Sequence, residues 1–206
     1  MEFSRPHQVT KLSNGITVVS EPTSTGTSYI GVYVGAGSRQ ENLATTGTSY
    51  LTQRMLARGT SSLTKGEFAE TVSSMGASYH SKADREWTSF GLKVGKGDCG
   101  KAVSLLGDAL CNPSLNSAEF GLLKDEVSAE HDLGYQRLEE TTLESCHFNS
   151  FRDHMLGQPI KGDRDLTQEI QLDDVRNYMS AHYYGDNLVV VATGEVNHHQ
   201  IVDAVE

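Results

Sequence analysis

No stretch of this 206-residue chain approaches the roughly 20 consecutive apolar residues that cross a bilayer, so no transmembrane segment of its own is expected. Attachment to a membrane complex through other subunits stays open. Cysteine is scarce: Cys99, Cys111 and Cys146 lie far apart and no Cys-x-x-Cys pair occurs. That excludes a disulfide framework and a cysteine metal knuckle, and points to a reducing compartment. Positive charge is short as well, with 17 Lys and Arg against 27 Asp and Glu and a formal net charge of -10 at pH 7. Such a surface repels phosphates, which argues against nucleic acid and anionic lipid as partners. Basic partners are favoured, although an ordinary solvated acidic surface is the simpler account of the charge. The first six residues, Met1 to Pro6, have neither an apolar signal core nor an Arg- and Ser-rich amphipathic pattern, so any targeting peptide is expected to lie outside this sequence.

Nucleophilic catalysis also lacks its signatures. There is no Gly-x-Ser-x-Gly elbow and no cysteine with a histidine context. His198 and His199 are adjacent and face different directions on a helix, while His131, His147 and His154 have no partner four residues away. Each reads as a surface histidine or a hydrogen-bonded core histidine.

What is present is a mixture of strand and helix patterns. Residues 15–20 and 29–34 are rich in β-branched and aromatic side chains and predict two strands joined as a hairpin through Gly26. Thr46, Thr48 and Ser49 offer hydroxyls to start a short helix through Leu51, Met55 and Leu56, buried on one side. Thr64 and Glu67 fit a capping box for a helix carrying Phe68, Val72 and Met75, with Gly76 placed to end it. Residues 77–82 and 86–94 predict paired strands. Helices are predicted over 101–110, from 116 past 130, over 139–151 and over 173–182, with a loop around Gly157, Pro159 and Gly162. A last apolar strand covers 188–192. The order β-β-α-α-β-β-α-α-α-α-β-α segregates hairpins from helical runs. It predicts an α+β fold, a mixed or antiparallel sheet with helices packed on one side, and one domain over 1–206.

Two stretches carry more than pattern. The run Gly31-Val32-Tyr33-Val34-Gly35-Ala36-Gly37-Ser38-Arg39 is followed by Gly47-Thr48-Ser49-Tyr50-Leu51-Thr52-Gln53-Arg54, and then by Gly59-Thr60. This frame resembles the pitrilysin-type inverted zinc peptidases, specifically the family of mitochondrial processing peptidase and the core subunits of complex III. Met75-Gly76-Ala77 with Arg85-Glu86, and the segment from Val175 to Val191, extend the resemblance over nearly the whole chain. Family members carry two homologous halves, and this chain resembles the first.

The family's frame surrounds a His-x-x-Glu-His motif on a helix, where residues four apart stack and present two imidazoles to one zinc beside a catalytic carboxylate. Here Tyr50, Gln53 and Arg54 stand at those positions. A phenol with a pKa near 10 is a poor zinc ligand at neutral pH. A guanidinium opposes the metal, and an amide accepts no proton. The family's third ligand, a downstream glutamate, maps onto Glu130 when His147 and Phe151 set the register. Arg54 and Glu130 then either pair across the former metal site or point independently to solvent.

The resemblance implies an inactive homologue of a zinc metalloendopeptidase, with no cofactor and no metal. Its expected role is a structural core subunit of mitochondrial ubiquinol-cytochrome c reductase, peripheral on the matrix side of the inner membrane. Implied partners are other complex III subunits and a second core-type subunit or second-half domain. The alternative is a processing-peptidase subunit that binds presequence peptides beside a catalytic partner.

Overall fold

The computed structural model describes residues 7–134 and 138–206. Six strands, β1 (Gln8–Lys11), β2 (Thr17–Pro22), β3 (Thr27–Val34), β4 (Ser78–Ala83), β5 (Thr88–Gly95) and β6 (Leu188–Gly194), form one sheet in the order β1-β2-β6-β3-β5-β4. Among the described residues only β2 and β6 run parallel; every other neighbouring pair is antiparallel. Among the described residues the α-helices are α1 (Thr48–Met55), α2 (Lys65–Ser74), α3 (Cys99–Cys111), α4 (Ser117–Gly134), α5 (Leu138–Ser150), α6 (Arg164–Glu169), α7 (Leu172–His182) and α8 (His198–Val205).

Alternation along the strands builds the core. Val18, Ile30, Val32, Phe90, Leu92, Val190 and Ala192 share one face, in register across neighbouring strands, and all are buried. Against that face lie Phe68 and Val72 of α2, Ala102, Val103 and Leu106 of α3, Tyr178 of α7 and Ile201 of α8. On the opposite face Val19, Val191 and Tyr29 stay partly exposed. The helices therefore cover one side of a mixed sheet, as expected. A second cluster packs Leu51 and Met55 of α1 with Phe120, Leu123 and Val127 of α4, and with Ile170 and Val175 next to and within α7.

Three local expectations need correction. β2 and β3 do not form a hairpin: β6 lies between them, hydrogen-bonded to both. The Leu188-to-Ala192 run is apolar on both faces and gains most from a central place in the sheet, which outweighs local pairing through a short turn. The strand partner of β2 on its other edge is β1, in a segment too polar to have been read as a strand. The loop after α5 contains α6, capped by Asp163, whose carboxylate accepts from the backbone N–H of Asp165 and Leu166.

The capping box of α2 is present as read. Thr64 N–H donates to Glu67 Oε2 at 2.8 Å, and Glu67 N–H returns to Thr64 Oγ1 at 3.3 Å. The start of α1 is different. Its N-cap is Gly47 at φ +98, with no side-chain cap from the neighbouring hydroxyls. Instead Glu41 reaches in from the preceding turn, its carboxylate accepting from Gly47 N–H at 2.8 Å and from Ser49 N–H at 2.6 Å. Carboxyl oxygens at a helix N-terminus satisfy donors left unpaired by the helix.

Candidate functional site

Helix α1 is buried around most of its circumference, more than the one-sided burial expected. Its partly open positions are Tyr50 and Arg54, one turn apart. Just beyond its end, Arg58 extends the stripe, so three polar side chains follow at four-residue spacing and lie over one another. They face α4, which presents Glu119, Glu126 and Glu130.

The contacts form a ladder across the seam. Tyr50 OH donates to Glu130 Oε2 at 2.7 Å and Arg54 Nη1 donates to Glu130 Oε1 at 2.7 Å. The same guanidinium nitrogen is 3.0 Å from Tyr50 OH, and Nη2 lies 3.2 Å from Glu126 Oε2. Arg58 donates to Glu126 through Nη2 and to Glu119 through Nη1 at 3.2 Å. Sequence reading named Tyr50, Arg54 and Glu130 but missed Arg58, Glu119 and Glu126. The signal was there in the four-residue spacing of Arg54 with Arg58 and of Glu126 with Glu130.

Electrostatics fixes the protonation states. Burial, aided by the hydrogen bond to Glu130, pushes the Tyr50 phenol up to about 12. Burial alone would raise the Glu130 carboxyl, but the hydrogen bonds from Arg54 and Tyr50 outweigh it and hold the group below its ordinary value of 4.5. At neutral pH the cluster is therefore a neutral phenol, a guanidinium and a carboxylate with both oxygens engaged. The catalytic members of the family it resembles hold a zinc ion at this motif, and the donor set here does not fit one. Tyr50 stays a neutral phenol, a poor zinc ligand, Arg54 has no lone pair to give, and a fixed cation sits where the metal charge would be. Among the described residues no group of three His, Cys, Asp or Glu side chains could hold a metal ion.

Gln53, the remaining motif position, is not a hydrogen-bond partner of this cluster. It is 3% exposed, and its Nε2 donates to Ser81 Oγ on β4. An amide serves there as a donor where a carboxylate could not, so Gln53 ties α1 to the edge strand. Beside Tyr50 opens a groove of about 730 Å³, walled by Lys82, Asp84 and Arg85 on one side and by Leu143 and Glu144 of α5 on the other.

The histidines fall elsewhere. His198 is buried with both ring nitrogens bonded to hydroxyls, Nδ1 to Ser20 and Nε2 to Thr10, each at 2.8 Å. It pins α8 to β1 and β2. His147 is half-buried on the groove side of α5 and stacks on Phe151, with ring centroids 6.2 Å apart.

A mixed sheet covered on one side by helices carries a short buried helix that presents Tyr50 and Arg54 toward a glutamate-bearing second helix. Residues 17–164 match the family described as insulinase (peptidase family M16), and the chain belongs to that family. Over all 206 residues it is 29% identical to cytochrome b-c1 complex subunit 1, mitochondrial, of Homo sapiens, covering 43% of that protein. It is 31% identical over 198 residues to mitochondrial-processing peptidase subunit beta of Caenorhabditis elegans, covering 96% of this chain and 43% of that one. A protease from Helicobacter pylori shares the fold, with a TM-score of 0.88 at 23% identity over 98% of this chain and 49% of its own. The chain thus spans less than half the length of these relatives.

Proposed function

We propose that this chain is a non-catalytic M16 domain that serves as a structural core subunit of the mitochondrial ubiquinol-cytochrome c reductase, on the matrix side of the inner membrane. The observation that carries the reading is the closed Tyr50–Arg54–Glu130 cluster at the family's metal position. It substitutes charge-assisted hydrogen bonds for coordination, and it leaves Gln53, an amide, at the place of the general base. The partners that suit the reading are other subunits of that complex and a second core-type subunit or second-half domain, supported by the 29% identity to a cytochrome b-c1 subunit along the full chain.

A second reading rests on the 31% identity to a processing-peptidase β subunit and on the glutamates of the groove beside Tyr50, Glu139, Glu140 and Glu144. In it the chain binds basic presequence peptides next to a catalytic partner, again without chemistry of its own.

Elemental analysis and a peptidase assay on the purified chain test both readings together. The expected result is less than stoichiometric zinc and no hydrolysis of a presequence peptide. One zinc per chain, lost on Glu130→Gln and accompanied by cleavage, overturns the non-catalytic assignment. Titration of the same peptide by calorimetry separates the two readings: saturable binding favours the second, and no binding favours the first.

A further inference from the structure

Helix α5 is thirteen residues long and has no buried residue. Its neighbours are different: α3 buries Ala102, Val103, Leu105, Leu106 and Ala109, and α4 buries Phe120, Leu123 and Val127. Helices in proteins are held mainly by packing of an apolar face, and α5 has Leu138 at 77% and Phe148 at 55% exposure. Its own sequence is no substitute, because Thr141, Thr142, Cys146 and Asn149 are weak helix formers.

What fastens α5 is charge. Arg85, in the turn between β4 and β5, has a side chain only 12% exposed. Its Nη2 donates to Glu144 Oε2 at 2.7 Å, while its Nε is fixed on the backbone oxygen of Leu156 at 2.9 Å. Lys161 reaches Glu140, one turn earlier, at 2.7 Å. Both glutamates lie on the side of α5 that roofs the groove beside Tyr50.

We infer that α5 is an ionically latched lid over this groove, held shut by Arg85–Glu144 and Lys161–Glu140 and opening without loss of the core. An element held largely through its charged side chains, Glu144 also accepting from the backbone N–H of Ile160, and with little apolar burial belongs to the low-stability end of a fold, where moving parts are found. Opening uncovers the wall of the groove and widens solvent access to Tyr50, which lines it. The lid is independent of whether the chain is catalytic, so its test does not turn on zinc or peptidase activity.

Native-state amide hydrogen exchange on the whole chain reads it directly. The backbone amides of α5 are expected to exchange well ahead of those of α3. Arg85→Gln and Glu144→Gln, made separately, should each speed exchange in α5 by about tenfold, the factor that corresponds to about 1.4 kcal/mol, with α3 unchanged. Should Arg85→Gln loosen α3 as well, Glu144→Gln still isolates the latch because it leaves the Arg85–Leu156 bond in place. Amides of α5 as protected as those of α3 in the unaltered chain, or unmoved by Glu144→Gln, would overturn the lid.

Discussion

Arg54 and Glu130 meet at 2.7 Å across the seam between α1 and α4, 76 residues apart in the chain, with side chains 28% and 31% exposed. The pair is neither a surface ion pair nor a fully desolvated one. Exposed pairs contribute about 0 to 1 kcal/mol, and breaking a buried one costs roughly 3 to 5 kcal/mol. The expected coupling between Arg54→Met and Glu130→Gln in a double-mutant cycle is therefore about 1 to 2 kcal/mol, measured by denaturant unfolding. A coupling indistinguishable from zero would remove the pair as a replacement for coordination.

Arg58 should matter more than Arg54 for stability. Its side chain is only 6% exposed and it bridges Glu119 and Glu126, which are 29% and 44% exposed. Arg58→Met keeps the packing of the stem but strips both carboxylates of their buried partner. Because those carboxylates retain some access to water, the expected loss is about 2 to 4 kcal/mol. Equal unfolding midpoints for the variant and the parent would contradict the ladder.

Glu41 gives the fold a pH dependence of unusual sign. Burial raises its carboxyl from 4.5 to about 7, only partly offset by the bonds from Ser49 and Gly47. The folded chain therefore holds this proton more tightly than the unfolded chain. The stability it contributes is fully present below about pH 4.5, falls as pH rises and is gone above about 7, a swing of at most about 3 kcal/mol. Glu41→Gln removes the titration, so the stability difference between parent and variant should change across pH 4.5 to 7.5 in that direction. A difference independent of pH would assign the carboxyl an ordinary value.

Gly37 should tolerate no side chain. A Cβ there would stand 2.2 Å from the backbone oxygen of Asp84 and 2.6 Å from the carbonyl carbon of Arg85. Neither can step aside, because Ser38 N–H and Arg39 N–H bind those two carbonyls at 3.2 and 2.8 Å. Gly37→Ala should cost about 1 to 3 kcal/mol or more and loosen Arg85, which fastens α5. Thermal unfolding checks the first effect, and exchange in α5 checks the second.

The sequence by itself determined the elements whose causes are local. The Thr64–Glu67 capping box, Gly76 at the end of α2 and the apolar alternation of β5 each depend on neighbours a few residues away, and each is in place. The helices on one side of a mixed sheet were legible for a similar reason, since the apolar periodicity already marks one face. The frame around residues 31–60 carried the family.

Tertiary structure decided everything that depends on partners distant in the chain. Insertion of β6 between β2 and β3 reflects competition for central sheet positions, which no local turn records. The cap of α1 comes from Glu41 and not from adjacent hydroxyls, because the fold brings a buried carboxylate to donors that needed an acceptor. Tyr50, Arg54 and Glu130 were nameable in advance. That one carboxylate would satisfy both a phenol and a guanidinium, while Arg58 continues the ladder and Gln53 turns to Ser81, follows from how α1 packs against α4 and β4. Side-chain chemistry is written residue by residue, but which charges share a desolvated seam is set only when two helices meet.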